Sequence, residues 1–267
     1  MPDKLLTFVH ISDTHIHADP DFTGDHVDFS SRSTVQALID TINTLEMDID
    51  AVIHTGDITH NPEEPEHYHI AKEILDQINY PTYYIPGNHD NVLMFQEEFL
   101  GLQPSNINET YDYHFELNGV QFIMLDSHRP ITETGSHGLL TEPHLAWLDL
   151  LLSAEDARPL IVGIHHHTLP TEAPWLDNII LKNGLDLHQI LLKAQSRLRG
   201  VFCGHIHESL VTVRDGISYY SVQSAWFQTR TWYDAQDPAH DFIPNAGFNL
   251  VTLTESDTFV RFHRIAL

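Results

Sequence analysis

Seven side chains with oxygen or imidazole nitrogen donors stand at the ends of short apolar runs: Asp13, His15, Asp57, Asn88, His165, His205 and His207. Carboxylate, amide and imidazole together, with no thiolate among them, suit borderline divalent ions such as Mn, Fe or Zn. So many donors exceed what one tetrahedral ion takes. They suit two ions that share a bridging carboxylate, and Asp57 is the candidate bridge. Asp13-x-His15 and His205-x-His207 would each put two donors on one side of an extended chain, because side chains alternate faces. Each short motif alone reads as an ordinary polar strand end; their coincidence in one chain points to a metal centre.

The elements that must deliver these groups are apolar runs. Residues 5–11 lead into Ser12-Asp13-Thr14-His15, 51–53 into His54-Thr55-Gly56-Asp57, and 81–85 into Pro86-Gly87-Asn88-His89-Asp90. Residues 160–164 lead into His165-His166-His167, and 201–203 into Gly204-His205-Ile206-His207. Such runs predict buried strands whose polar ends line one edge of a sheet, the place where open α/β sheets bind ligands. Gly87, without a Cβ, lets the chain turn sharply and approach a ligand closely. Helical spacing of Val35, Leu38, Ile39, Ile42 and Leu45 predicts a helix over 33–45, with Ser30 or Ser31 as N-cap; a second is expected over 68–78. The first half therefore reads β-α-β-α-β, with right-handed crossovers onto a largely parallel sheet.

Further along, the pattern predicts a short helix over 92–100 and a hairpin about Asn118-Gly119, followed by helices over 145–152 and 185–194. A second hairpin is expected about Asp215-Gly216, then paired strands over 248–253 and 258–264, with 226–244 a long loop. One sheet holding all these strands would be very wide, so two packed sheets with helices outside are expected. No linker or composition break divides the 267 residues, which predicts a single domain over 1–267. Acidic residues number 38 against 13 basic ones, a formal charge of −25. No basic stripe is present to bind a nucleic-acid backbone, and no polybasic membrane anchor. The acidic surface reads as solvated. Cys203, the lone cysteine, lies in an apolar strand and fits a reducing compartment. No leader segment or spanning run is evident, so a cytoplasmic location is expected.

Asp-x-His, Gly-Asp, Gly-Asn-His-Asp, His-His and Gly-His-x-His, in this order from Asp13 to His207, resemble the motifs of the calcineurin-like metallophosphoesterases. That resemblance implies a four-layer α-β-β-α sandwich of two mixed β-sheets flanked by helices, an α/β fold, around a dinuclear centre. Carried over by motif, one ion takes Asp13, His15, Asp57 and His207, and the other Asp57, Asn88, His165 and His205. Within the family, Ser12–His15, the stretch 63–68, Gly138-Leu139-Leu140 and Trp147-Leu148 are similar to class III 3′,5′-cyclic-AMP phosphodiesterases and glycerophosphodiesterases. Pro174-Trp175-Leu176-Asp177 through Lys182-Asn183 resembles the cyclic-AMP branch. Many relatives carry proline after the His-His pair, whereas this chain has His167-Thr168 and reaches proline only at Pro170. The ligand is accordingly His165 or His166, with His165 the first residue out of the strand.

The chemistry this implies is hydrolysis. Two cations lower the pKa of a bridging water, hydroxide attacks phosphorus in line, and the cations neutralise the phosphoryl oxygens. His89, beside Asn88 but no ligand, is placed to hold the phosphate and protonate the leaving oxygen, with a carboxylate such as Asp90 orienting it; the plainer alternative is structural support. Asn88, His89 and His166 are the candidate substrate contacts, and Trp175, Trp226 and Phe227 could stack on a base or merely fill a crevice. The expected substrate is a small phosphodiester, foremost a 3′,5′-cyclic nucleotide such as cyclic AMP. Alternatives are a glycerophosphodiester, a 2′,3′-cyclic nucleotide or a phosphomonoester, and more remotely a non-catalytic metal-binding scaffold. A homodimer is compatible with this reading.

Overall fold

The computed structural model describes residues 3–24, 27–128 and 135–267. Strand β1 (Lys4–Ile11), helix α1 (Ser31–Asn43), strand β2 (Ala51–His54), helix α2 (Pro65–Leu75) and strand β3 (Thr82–Tyr84) form the expected alternation. Ser30 is the N-cap of α1, its hydroxyl accepting the N–H of Arg32 at 3.3 Å. Beyond β3 come a single helical turn α3 (Val92–Met94) running into a π-helical turn (Phe95–Phe99), and then β4 (Tyr113–Leu117) and β5 (Val120–Leu125). Helix α4 (Glu142–Ser153), β6 (Leu160–Ile164), the short α5 (Pro174–Asp177) and α6 (Gly184–Leu191) follow. The chain closes with β7 (Leu198–Cys203), β8 (Val211–Arg214), β9 (Ile217–Ser221), β10 (Gln228–Thr229), β11 (His240–Asp241), β12 (Asn245–Thr254) and β13 (Thr258–Ala266). The expected 226–244 loop thus contains a small β10–β11 pair.

Two mixed sheets result. One has the order β13-β12-β1-β2-β3, with β1, β2 and β3 parallel and β12 and β13 antiparallel; the other runs β4-β5-β6-β7-β9-β8, with parallel pairs in its middle. Alternation along each strand decides which layer a side chain joins. In β1, Val9 and Ile11 face α1 and α2 with Leu38, Ile39, Ala71 and Leu75, while Leu6 and Phe8 face the second sheet. In β5, Ile123 and Leu125 meet Leu148 of α4 and Leu187 of α6, while Phe122 and Met124 meet Phe8 and Phe202 between the sheets. The layers are therefore α-β-β-α. Phe8 sits edge-on to Phe122 and Phe202, ring centroids 5.6 and 5.3 Å apart. Phe8→Ala would open a void there at a cost of about 3–5 kcal/mol.

Both hairpin turns carry the backbone that their sequences demand, with φ of 50° and 77° at Asn118-Gly119 and 48° and 76° at Asp215-Gly216. The stretch 81–85 differs from expectation. Its strand, β3, is half-buried because it lies at the sheet edge, where Tyr83 stacks on Phe115 at 3.7 Å instead of entering a closed core. Among the described residues, no helix is long and apolar enough to cross a membrane.

Candidate metal centre

Strands β1, β2, β6 and β7 all end on the same side, and the loop after β3 joins them there. The backbone at these exits is not extended. Asp13, His15, Asp57, His205 and His207 have φ of 57°, 42°, 54°, 67° and 52°. The paired donors of Asp13-x-His15 and His205-x-His207 therefore converge through left-handed turns, not through strand alternation as the spacing suggested. Such a conformation costs non-glycine residues about 1–3 kcal/mol each and persists only where surroundings impose it. Here the imposing bonds are visible. The N–H of Asp13 donates to Gly56 O at 2.9 Å and that of His15 to Asp57 O at 3.0 Å. The N–H of His205 donates to both oxygens of Asp13 at 3.1 and 3.0 Å, and Ser224 Oγ donates to Asp13 O at 2.8 Å.

The imidazoles turn their protonated nitrogens outward. Nδ1 of His165 donates to Thr55 O at 2.7 Å, Nδ1 of His207 to Phe227 O at 3.0 Å, and Nε2 of His205 to Ile179 O at 2.9 Å. Their other nitrogens face inward. Nε2 of His165 lies 3.4 Å from Asp57 Oδ1 and 3.2 Å from Asn88 Oδ1. Nε2 of His207 lies 3.2 Å from both Asp13 Oδ1 and His15 Nε2. Asp57 spans the two groups, since its Oδ2 is 3.6 Å from His15 Nε2. Atoms this close, carboxylate oxygens and imidazole nitrogens together, call for positive charge between them, whether protons or cations, and the donor set fits a pair of divalent cations. Gly87 leaves the necessary room: a Cβ there would stand 2.3 Å from Asp57 Oδ1 and 2.8 Å from His165 Cε1.

The electrostatics carry the same message. Burial would raise Asp57 and Asp13, but His165 and His89 hold the first, and His207 and His165 the second, well below the usual carboxylate range. Burial would lower His165, yet the carboxylates of Asp57 and Asp13 push its imidazole up to about 9. Burial, with His165 beside it, takes His205 down to about 3.

A cavity of about 280 Å³ opens over this centre, lined by His15, Asp57, Asn88, His89, His205 and His207 at its floor and by Trp175, Ile179 and Phe227 on its walls. His89 is fixed through its own backbone and ring: its N–H donates to Asp57 Oδ1 at 2.7 Å, and its Nδ1 donates to His60 O at 3.0 Å, leaving Nε2 for the cavity. Asp90 does not orient that ring. It accepts the N–H groups of Gly87, Ile58 and Thr59 at 2.9, 3.1 and 3.0 Å, tying the Asn88 turn to the Asp57 turn. His166 is fully buried and absent from the cavity wall; its Nδ1 pairs with Ser127 Oγ at 2.7 Å. From sequence His60 reads only as a solvated loop residue near the mouth of the site; it lines the cavity beside His89 with ring centroids 5.2 Å apart. Its place three residues after Asp57, before the next helix, was the available signal. All three aromatic candidates line the cavity: Trp226, 1% exposed, is pinned by its Nε1, which donates to Phe29 O at 2.9 Å, whereas Trp175 is half-buried.

Two packed mixed sheets with carboxylate, amide and imidazole groups collected at their shared edge define the metallophosphoesterase class. The sequence model of the calcineurin-like phosphoesterase family matches residues 6–209, and the chain belongs to that family, metal-dependent phosphoesterases with a dinuclear centre. A glycerophosphodiester phosphodiesterase (GpdQ) of Enterobacter lignolyticus is 28% identical over 90% of this chain and 84% of its own. The 3′,5′-cyclic adenosine monophosphate phosphodiesterase (CpdA) of Escherichia coli K12 is 29% identical over 78% of this chain and 72% of its own. In fold, a dimetal phosphatase of Danio rerio superposes with a TM-score of 0.67 at 15% identity, over 97% of this chain and 99% of that one.

Proposed function

We propose that the chain hydrolyses a small phosphodiester, a 3′,5′-cyclic nucleotide such as cyclic AMP, at a centre of two divalent transition ions (Fe, Mn or Zn). The observation that carries this reading is Asp57, whose oxygens face His15 on one side and His165 on the other, at 3.6 and 3.4 Å. Asp13, His15, Asp57 and His207 would hold one ion, and Asp57, Asn88, His165 and His205 the other, with Asp57 as bridge. Bound there, the cations would lower the pKa of a water and neutralise charge on the phosphoryl oxygens. His89 does what the chain itself must do: with Nδ1 committed to the His60 carbonyl, Nε2 is free to hold a phosphoryl oxygen and to protonate the leaving alkoxide. Asn88 keeps the neighbouring amide in reach of the same phosphate. His166 lies outside the cavity lining, its Nδ1 paired with Ser127 Oγ, and has no contact with substrate in this reading.

The choice of ester rests on the cavity wall. Trp175, Leu176, Ile179, Ile206, Phe227 and Pro238 make it apolar and aromatic, and its only charged carboxylate or cation among the described lining residues is Asp57 on the floor. That wall suits a flat, neutral base better than a charged head group. Relatives named for glycerophosphodiesters and for cyclic AMP are about equally similar, so substrate must be measured. Metal-reconstituted protein should be assayed on cyclic AMP, 2′,3′-cyclic AMP, glycerophosphocholine and a phosphomonoester. The highest kcat/KM is expected on 3′,5′-cyclic AMP; a higher value on glycerophosphocholine would transfer the protein to the second class.

A further inference from the structure

We propose that His54 is a positioning residue for the metal centre: acting through Thr14, it holds in register the two left-handed turns that carry Asp13, His15 and Asp57. The proposal rests on the dinuclear reading above, and goes beyond it by naming a side chain that is no ligand and does not line the cavity.

His54 is the last residue of β2 and is fully buried. Its two ring nitrogens reach different turns. Nδ1 accepts the N–H of Gly56 at 3.3 Å. A backbone N–H can only donate, so Nδ1 is unprotonated and the proton of the neutral ring is on Nε2. Nε2 lies 3.1 Å from Thr14 Oγ1, which accepts that proton and donates its own to Ile58 O at 3.0 Å. His54 and Thr14 each accept at one atom or lone pair and donate onward, so the relay runs from Gly56 N–H to Ile58 O, with Asp57 O a longer second acceptor of Thr14 at 3.5 Å. Burial pushes the His54 imidazole down to about 3, so the ring is neutral across the neutral range, and the Gly56 N–H sets its tautomer.

The positions joined are those the site depends on. Thr14 stands between Asp13 and His15, both with positive φ, and Gly56, at φ 104°, precedes Asp57. Backbone bonds from Asp13 to Gly56 and from His15 to Asp57 run alongside, and the His54–Thr14 path adds a side-chain link between the same two turns. Gly56 has no slack on its far face, where a Cβ would stand 2.7 Å from His165 Nδ1 and 2.8 Å from Gly87 N. A hydrocarbon at position 54 would strand the Gly56 N–H and release Thr14, and a turn that tips would carry its carboxylate or imidazole with it. Groups that orient ligands in this way typically contribute about 10–100-fold to metal affinity.

A merely structural role makes a different prediction: lower stability of the stripped protein with unchanged metal affinity. Chelator-stripped wild type, His54→Phe, Thr14→Val, Thr14→Ser and the double variant His54→Phe/Thr14→Val should be titrated with Mn(II) and with Zn(II) by calorimetry. Circular dichroism melts of the stripped forms check the fold. His54→Phe and Thr14→Val are each expected to weaken binding about 10–100-fold. Thr14→Ser, which keeps the hydroxyl, should bind as wild type, and the double variant should be no weaker than the worse single, because both break one path. Should His54→Phe fail to fold, the Thr14 pair decides. Thr14→Val binding as tightly as wild type, or Thr14→Ser as weakly as Thr14→Val, overturns the proposal. Wild type taking up fewer than two ions overturns the dinuclear reading itself, and this inference with it.

Discussion

Oδ1 of Asp57 accepts the backbone N–H of His89 at 2.7 Å, so the carboxylate that spans the two donor groups also fixes the imidazole over the cavity. Asp57→Asn keeps the shape and removes the charge. The amide must then present either a second donor to His89 N–H or its NH₂ to His15, and it can no longer serve two cations. Metal content measured by elemental analysis should fall from two ions to none, whereas His207→Ala should lose one. Retention of one ion in Asp57→Asn would move the bridge to another residue.

His89→Ala separates proton donation from metal binding. None of the seven proposed ligands is removed, so both ions should remain. On a cyclic nucleotide the leaving ribose oxygen needs a proton, and kcat should fall roughly 10²–10⁴-fold, the usual span for a general acid. On bis-p-nitrophenyl phosphate the leaving group departs unprotonated, and the loss should be much smaller. Equal losses on both substrates would leave His89 a charge-stabilising role only. Loss of metal would make it a ligand.

Much of the site was legible because apolar runs that stop at Asp13, Asp57, Asn88, His165 and His205 can only be strands emptying onto one edge. The helices α1 and α2 and both hairpin turns followed equally from local rules of period and turn chemistry. What the sequence withheld is tertiary. The left-handed turns at Asp13 and Asp57 are imposed by bonds across β1 and β2; aspartate tolerates that region better than most residues, but tolerance alone does not place it there. Asp90 was legible as a polar turn residue, but its carboxylate found three backbone N–H groups and not the neighbouring ring. Trp226 and Trp175 look alike in the chain; only the fold shows that both line the cavity and that the first is pinned through Nε1 to Phe29 O.

Asp126 gives stability a pH dependence away from the metal centre. Its carboxylate is 1% exposed and accepts the N–H groups of Tyr111 and His128 at 3.0 and 2.8 Å. Burial, reinforced by Asp112, raises the carboxyl from 3.8 to about 7. Below the lower value both folded and unfolded chains hold the proton. Between the two values the folded chain alone holds it, so stability falls as pH rises, by up to about 1.4 kcal/mol per pH unit, and levels off above the folded value. Asp126→Asn should cost a constant amount for its misplaced NH₂ and remove this slope. Urea unfolding of both proteins across pH 5 to 7 measures the difference. A parallel pair of curves would show that Asp126 is ionised throughout.

Trp175 tests the apolar wall as the source of ester preference. Its indole packs on the satellite cluster of Ala173, Leu176, Ile180 and Ile206 and borders the cavity, while the neighbouring Ile179 carbonyl accepts His205 Nε2. The ring is therefore held by packing close to one donor group, without touching it through a hydrogen bond. Trp175→Ala should leave the ions and His89 in place and remove only area against which a base could lie. Stacking on one aromatic ring is worth about 1–3 kcal/mol, so kcat/KM on cyclic AMP should fall roughly 5- to 150-fold, mostly through KM. Glycerophosphocholine, lacking a base, should lose little. Trp175→Phe, which keeps a flat face, should recover most of the cyclic AMP activity. A drop in kcat shared by both esters would instead mean that the variant has disturbed the Ile179–His205 contact, which metal titration of the same variant would register as weakened binding of one ion.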